Sequence, residues 1–270
     1  MPDRDYILGT HDAEIARLKL QHSVWRPRML DAWRRAGITQ GQTVIDLGSG
    51  PGYAALELAE IVGPKGGVIA VERSVRFLDT LHAAANARTL RNINTIEGDI
   101  TEQSLGRHTA DASWCRWVFS WLTQPERAVA NLATALKPGG IAVFHEYLSY
   151  ASWQLAPHSP AFESFVAATI ESVHKTGAQM DAALTLPTLL EAAGFEIIGL
   201  TPIVDVVRPD NYVWQWPAAF VRGYHDSLVA QNLITRQLAT EVLAQLDQAE
   251  RNGTTRMVTP TVLEIIARRR

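Results

Sequence analysis

The chain has 270 residues, 47% of them hydrophobic and 20% charged, which is the balance of a soluble globular protein long enough to bury a sizeable core. A formal net charge of -3 argues against electrostatic attraction to nucleic acid or to an anionic membrane surface. No apolar run approaches the ~20 residues that cross a bilayer, and the N-terminal residues do not resemble a signal peptide, so a cytoplasmic protein without a membrane partner is expected.

The first predicted element is a helical segment over residues 11–36. Leu18 and Val24 belong to its apolar face, Pro27 is expected to break or kink it, and Gly37 is a suitable C-terminal cap. From residue 43 onward, short apolar runs alternate with helical stretches. Strands are predicted at 43–47, 67–71, 93–97, 111–117 and 141–145, and helices at 54–62, 74–88 and 125–136. This alternation predicts a parallel sheet that is covered by helices on both faces.

Beyond residue 146 the alternation loosens. Further helices are predicted at 161–175, 187–193 and 235–250, with strands at 195–200 and 257–267. The chain shows no repeat and no low-complexity linker, so residues 1–270 are expected to form one domain. Its predicted parts are an N-terminal helical cap (1–38), a core (40–146) and two helical insertions on the substrate side (147–185 and 209–252).

A glycine-rich turn joins the first strand to the following helix. It reads Asp46-Leu47-Gly48-Ser49-Gly50-Pro51-Gly52. In an open parallel sheet, ligands bind beyond the carboxyl ends of the strands, and glycines there let the backbone approach a ligand closely. An acid ahead of the glycines would repel the pyrophosphate that a nucleotide-binding turn accepts at a helix N-terminus. Asp46 therefore favours a cationic ligand.

Two further acids follow the next two strands. Glu72 ends the second strand, where a carboxylate can accept both ribose hydroxyls. Asp99 follows the third strand, where a carboxylate can accept a proton from an adenine amino group. Each acid alone could be a helix cap or a solvated loop residue. Three acids after three successive strands favour one shared site for a cationic adenosyl ligand.

These segments resemble the motifs of class I S-adenosylmethionine-dependent methyltransferases. The glycine turn is similar to the first motif of that family, and residues 70–72, 97–100 and 136–140 look like its later motifs, in order and at usual spacings. Within the class, the chain looks closest to the ubiquinone-biosynthesis-like group of small-molecule methyltransferases. The resemblance implies an α/β fold: a Rossmann-like seven-stranded mixed sheet with helices on both faces, the N-terminal segment and the insertions forming a lid.

The resemblance also implies S-adenosylmethionine as the cofactor. The glycine turn is then expected under the methionine part, Glu72 at the ribose, and Asp99 with Ile100 at the adenine. The residues after the fourth strand are expected at the methionine end. The predicted cofactor-binding residues are Asp46, Gly48, Ser49, Gly50, Gly52, Tyr53, Glu72, Arg73, Asp99, Ile100, Arg116 and Trp117, with Gln21 and Trp25 as weaker candidates.

The catalytic candidates follow the fifth strand. His145, Glu146 and Tyr147 lie at the edge that faces the expected site, where one of them could take a proton or orient the substrate. Structural roles stay open, because the ring nitrogens of His145 can form hydrogen bonds with backbone groups and Glu146 can cap the next segment. The one cysteine, Cys115, excludes a cysteine cluster and the histidines show no ligand spacing, so no metal is expected.

The expected function is methyl transfer from S-adenosylmethionine to an O, N or C nucleophile of a small aromatic or apolar molecule, in secondary metabolism, by a monomer or homodimer. The alternative is a cofactor-binding protein of the same fold that catalyses a cyclisation or isomerisation. The spacing G-x-G-x-G differs from the G-x-G-x-x-G of nicotinamide enzymes. Residues 116–119 lack the Asn/Asp-Pro-Pro-Tyr/Phe signature of methyltransferases that act on nucleic acid, so no nucleic-acid partner is expected.

Overall fold

The structure is a computed structural model that describes residues 9–270, so residues 1–8 of the predicted cap lie outside the described part. Its strands are β1 Thr43–Leu47, β2 Gly67–Glu72, β3 Ile93–Glu97, β4 Ala110–Arg116, β5 Leu136–Ser149, β6 Gln154–Ala156, β7 Phe195–Ile203, β8 Val206–Val207, β9 Arg256–Val258 and β10 Thr261–Arg269. Its helices are α1 Asp12–Arg35, α2 Tyr53–Val62, α3 Val75–Ala87, α4 Pro125–Ala135, α5 Pro160–His174, α6 Leu186–Ala192, α7 Gln215–Ala230 and α8 Arg236–Asn252.

Seven strands form one mixed sheet in the order β3-β2-β1-β4-β5-β10-β7. The first five are parallel to one another, and β10 runs antiparallel between β5 and β7. The strand order reverses between β1 and β4, which is the point where an open α/β sheet offers a crevice at its carboxyl edge. The predicted seven-stranded mixed sheet is confirmed.

Of the two effects expected of Pro27, a break or a kink, the break is wrong. Helix α1 continues through this residue to Arg35, and Trp25, Met29 and Trp33 on either side of it are at most 1% exposed. A proline inside a helix costs about 3 kcal/mol. Burial of three large side chains, each worth about 1.5–3 kcal/mol, outweighs that cost.

Among the strands whose bounds differ from the prediction, two show the effect of pairing with distant segments. Strand β5 extends beyond residue 145 to Ser149 because β10 pairs along it, with Val262 opposite Tyr147 and Thr261 opposite Ser149. The single strand predicted at 257–267 is divided between β9 and β10, which belong to different sheets. Strand β9 lies between β6 and β8 in a small antiparallel sheet that the sequence did not predict.

Helices α5, α7 and α8 pack on one another, and α7 also packs on α1. Their shared core is rich in large aromatic side chains, including Trp153, Phe162, Phe165, Trp214 and Tyr224. The division of the chain into a cap, a core and two insertions stays a prediction. No helix within residues 9–270 is both long and apolar enough to cross a membrane.

Candidate functional site

The glycine turn between β1 and α2 contains three residues in the left-handed region. Gly48, Gly50 and Gly52 have φ angles of 64°, 54° and 85°. A Cβ on Gly48 would lie 2.5 Å from Val118, and one on Gly52 would lie 2.3 Å from Leu81, whereas one on Gly50 would meet nothing within 4 Å. The first and third glycines therefore permit close packing, and Gly50 leaves open space.

A cleft at this edge of the sheet is lined by all three predicted acids. Asp46 is 2% exposed, and its Oδ2 has no hydrogen-bond partner among the described residues. Burial raises the pKa of its carboxyl to about 7; the nearby Glu72 adds to this rise, and the Arg116 guanidinium opposes it. Ser49 also lines the cleft with a buried and unpartnered Oγ. Both atoms fit a polar ligand that supplies their missing hydrogen bonds.

Glu72 organises the turn while facing the cleft. Its Oε2 accepts a hydrogen bond from the Gly50 N–H at 2.9 Å, and its Oε1 accepts from the N–H groups of Arg73 and Ser74, each at 2.9 Å. Burial raises the pKa of this carboxyl despite those hydrogen bonds. An ionised carboxylate has about four lone-pair sites, so room remains for a ligand hydroxyl.

One carboxylate oxygen of Asp99 accepts hydrogen bonds from a residue in the same loop. Its Oδ1 accepts from the N–H and the hydroxyl of Thr101 at 2.8 and 2.7 Å. No hydrogen bond to Oδ2 occurs within the described part of the chain. Ile100 and Phe77 line the cleft beside it, and both are nearly buried. A cleft that is lined by this acceptor and by apolar side chains fits a planar ring that carries an amino group.

Arg116 lines the opposite end of the cleft at the end of β4. Its Nη2 lies 3.4 Å from His22 Nδ1 and its Nη1 lies 3.9 Å from Met29 Sδ, and within residues 9–270 it forms no ion pair with a carboxylate. Burial lowers the pKa of the guanidinium to about 10, which still leaves it charged at neutral pH. This charge can therefore bind an anionic group of a ligand.

Trp117 follows Arg116 with a φ angle of 53°, a strained conformation for a bulky residue. Its ring stacks between Tyr147 and Trp216, at centroid distances of 5.5 and 5.3 Å, and Trp25 packs edge-on against it at 5.0 Å. Trp117 lines the cleft, whereas Trp25, Tyr147 and Trp216 are not among the lining residues. Of these four rings, Trp117 is therefore the one that meets the ligand space.

The three catalytic candidates alternate across the sheet. His145 is fully buried against Trp25 and Trp114, with its Nε2 3.2 Å from Glu264 Oε2. Glu146 is fully buried and accepts hydrogen bonds from backbone N–H groups of the segment after β4. None of the three is among the residues that line the cleft.

Twelve of the fourteen predicted cofactor residues line this cleft; Gly52 and Trp25 do not. Gly52 faces α3, and Trp25 packs behind Trp117. The cleft also contains residues that the prediction omitted, chiefly apolar ones: Leu18, Pro51, Ala54, Val71, Phe77, Trp114, Val118, Trp121 and Leu122. In the sequence, these apolar residues show only the periodicity of a buried face, which does not distinguish a cleft from the core. Within residues 9–270, no group of three or more His, Cys, Asp or Glu residues is arranged to hold a metal ion.

Comparisons with known proteins agree with this geometry. Residues 45–144 match the family described as "Methyltransferase domain". Residues 45–144 form a methyltransferase domain. The resemblance to class I S-adenosylmethionine-dependent methyltransferases is thereby confirmed, and S-adenosylmethionine is the cofactor of that class.

Two curated relatives and one solved structure illustrate the similarity. Malonyl-[acyl-carrier protein] O-methyltransferase of Halalkalibacterium halodurans is 29% identical over 44% of this chain and 44% of its own. The ubiquinone/menaquinone C-methyltransferase UbiE of Erwinia tasmaniensis is 24% identical over 53% of this chain and 55% of its own. The chain thus spans about half the length of these relatives. The crystal structure of the [4+2]-cyclase SpnF shares the fold, with a TM-score of 0.56, 19% identity and coverage of 90% of this chain and 80% of the cyclase.

Proposed function

We propose that this methyltransferase domain transfers a methyl group from S-adenosylmethionine to an O, N or C nucleophile of a small aromatic or apolar molecule. The observation that carries the proposal is the convergence of Asp46, Glu72 and Asp99, from three successive strand ends, on one cleft. Two buried atoms of that cleft, Asp46 Oδ2 and Ser49 Oγ, lack partners that a polar cofactor would supply.

The cleft offers a different chemistry for each part of the cofactor. Glu72 would hold the ribose, with Arg73 beside it, and Asp99 with Ile100 would hold the adenine. Asp46 and Arg116 would face the amino-acid end, where an ammonium and a carboxylate need opposite charges. The residues proposed to complete this site are Gln21, Gly48, Ser49, Gly50, Tyr53 and Trp117, with Gly52 and Trp25 supporting them by packing. When bound, the cofactor supplies an electrophilic methyl group on a sulfonium.

The methyl acceptor would enter against the apolar lining of the same cleft. Leu18 of α1 belongs to this lining, as do Trp117, Trp121 and Leu122 of the segment after β4. These side chains exclude water and can hold a planar apolar molecule in line with the methyl group, which is the main requirement for a displacement reaction. An aromatic wall also stabilises a cationic sulfonium.

A direct test starts with S-adenosylhomocysteine, because its binding needs no acceptor. Calorimetry should give a Kd in the micromolar range, as for ordinary enzyme ligands. Absence of both heat and a thermal shift would refute the cofactor site. S-adenosylmethionine carrying a labelled methyl group is then incubated with panels of phenols, quinols and amines, and label should move to one class of acceptor as S-adenosylhomocysteine accumulates.

A non-methylating reaction is the second candidate, since the similar fold of a cyclase shows that this architecture is compatible with one. It predicts cofactor that binds tightly and is recovered intact after the substrate has changed. Quantifying intact cofactor against product distinguishes the two functions.

We also propose that the protein acts in the cytoplasm, in secondary metabolism, as a monomer or homodimer without nucleic-acid or membrane partners. The net charge of -3 supports the absence of nucleic acid. Light scattering of the purified chain determines its oligomeric state, and a filter-binding assay with DNA and RNA tests the expected absence of binding.

A further inference from the structure

Glu146 occupies an unusual position for a carboxylate. It lies near the carboxyl end of β5, is 0% exposed, and forms no ion pair with a basic residue within residues 9–270. Burying an unpaired carboxyl is expensive unless hydrogen bonds satisfy its oxygens. The contacts that satisfy Glu146 therefore indicate what the residue does.

All of those contacts come from β4 and the segment that follows it. Oε1 accepts hydrogen bonds from the N–H groups of Val118 at 2.8 Å and Phe119 at 3.1 Å, and Cys115 Sγ lies 3.7 Å away. Oε2 lies 3.3 Å from Ser120 Oγ. One side chain thus holds three consecutive residues, 118–120, in place.

That segment forms part of the wall of the cleft. Trp117, Val118, Trp121 and Leu122 all line the cleft. Trp117 has the strained φ angle of 53°, and a Cβ on Gly48 would lie 2.5 Å from the Val118 side chain. A strained residue persists only where its surroundings fix it, so the hydrogen bonds to the next two amides help to hold Trp117 in this conformation.

We propose that Glu146 is a positioning residue that acts through the backbone amides of Val118 and Phe119 to fix the wall at the methyl-transfer end of the cleft. It does not touch the ligand space and does not take a proton from the acceptor. This inference rests on the proposed function, because it assumes that the cofactor extends from Glu72 and Asp99 to Trp117.

The hydrogen bonds around Ser120 show which substitution should preserve this role. The single hydroxyl proton of Ser120 can go to the Met180 carbonyl at 2.8 Å or to an ionised Glu146 Oε2 at 3.3 Å. When it goes to Met180, a protonated Oε2 can donate to Ser120 Oγ. Burial raises the pKa of Glu146 to about 7 against the opposing hydrogen bonds from Val118, Phe119 and Ser120, so both protonation states of the carboxyl are populated near neutral pH. The side-chain amide of a glutamine has the same pattern as a protonated carboxyl, with one accepting oxygen and one donating group.

The test compares three variants with two probes. Glu146→Gln keeps the accepting oxygen and the reach, Glu146→Asp keeps the acid but is shorter, and Glu146→Ala removes the acceptor. The probes are S-adenosylhomocysteine, which spans the cleft, and adenosine, which fills only the half near Glu72 and Asp99. Glu264→Gln is the matched control, since Glu264 is a 3% exposed carboxyl on the neighbouring strand that bonds to Arg35 and His145 instead.

Glu146→Gln should bind S-adenosylhomocysteine within about twofold of the wild type, whereas the Asp and Ala variants should bind it about tenfold or more weakly. Adenosine binding should change by less than about twofold in all of them and in the control. Hydrogen exchange at the amides of Val118 and Phe119 should accelerate in the Asp and Ala variants alone.

Three results would overturn the proposal. The first is wild-type S-adenosylhomocysteine binding by Glu146→Ala, and the second is equal weakening of adenosine, which indicates general damage. The third is retained binding but lost cofactor turnover in Glu146→Gln, which indicates a proton-transfer role. If the Ala variant does not fold, the Gln and Asp variants decide alone. If the wild type binds neither probe, the proposed function fails instead.

Discussion

Binding of the cofactor should depend on pH through Asp46. Burial raises the pKa of this carboxyl to about 7 in the ligand-free protein, so it is largely protonated at pH 6. A cationic ligand beside it favours the ionised form, and binding then releases a proton. Affinity should therefore increase as the pH rises through about 7. The opposite sign would hold only if the ligand placed a negative group against Asp46.

The size of the effect follows from the ionised fraction. With a pKa of about 7, roughly one-eleventh of the Asp46 carboxyls are ionised at pH 6 and about three-quarters at pH 7.5. The affinity for S-adenosylhomocysteine should thus rise about eightfold across this interval, or about 1.2 kcal/mol. Measurements stop at pH 7.5 so that the amino group of the ligand, which is that of a free amino acid and titrates at higher pH, stays protonated throughout.

Calorimetry in two buffers with different ionisation heats measures the released proton directly. The matched variant is Asp46→Asn, whose amide oxygen can still accept the backbone hydrogen bond from Ala55 but has no proton to lose. It should bind more weakly at pH 7.5 and show a flat pH dependence. A flat profile for the wild type would show that Asp46 does not change its protonation state when the ligand binds. An unchanged slope in the variant would assign the pH dependence to another group, such as His22.

Three other predictions follow from the site. Glu72→Gln should weaken S-adenosylhomocysteine binding by about 1.5–3 kcal/mol in calorimetry, because an ionised acceptor is replaced by a neutral one; unchanged affinity would place the ribose elsewhere. Gly50→Ala should weaken ligand binding and change the thermal stability less, because its Cβ would meet no protein atom within 4 Å. Gly52→Ala should lower the thermal stability more than the affinity, because its Cβ would clash with a side chain. The opposite ranking would mean that Gly52 borders the ligand and Gly50 permits the packing. In urea unfolding, Trp216→Ala should lower the free energy of unfolding by about 3–5 kcal/mol, because its buried ring packs in the aromatic cluster. Tyr212→Ala, at a 55% exposed position, should change it by less than about 0.5 kcal/mol. Similar losses in the two variants would contradict the aromatic packing.

The alternation of apolar strands and helices was sufficient to predict the seven-stranded sheet because each β-α unit has local end signals. Gly63 ends α2, and the Ser74 hydroxyl accepts from the Phe77 N–H at the start of α3. The continuation of α1 through Pro27 depends on burial of side chains by distant segments, and the length of β5 depends on β10, more than a hundred residues later. Such long-range pairings leave no local pattern.

The candidate cofactor site was predictable to the extent that its residues have fixed places in the topology. Asp46, Glu72 and Asp99 each follow a strand, and parallel strands bring their carboxyl ends to one edge. Leu18 and Phe77 come from helices, where an apolar residue that lines a cleft has the same spacing as one in the core. The sequence therefore predicts the polar part of the site better than its apolar part.

The segment 145–147 shows why a residue type at the right strand end does not define a catalytic role. Successive side chains on β5 point to opposite faces, so His145 and Tyr147 pack with the aromatic cluster while Glu146 turns toward the amides of Val118 and Phe119. A shift of one residue would exchange these environments without changing the motif. The chemistry of the three residues is therefore decided by register, which β10 fixes by placing Glu264 opposite His145.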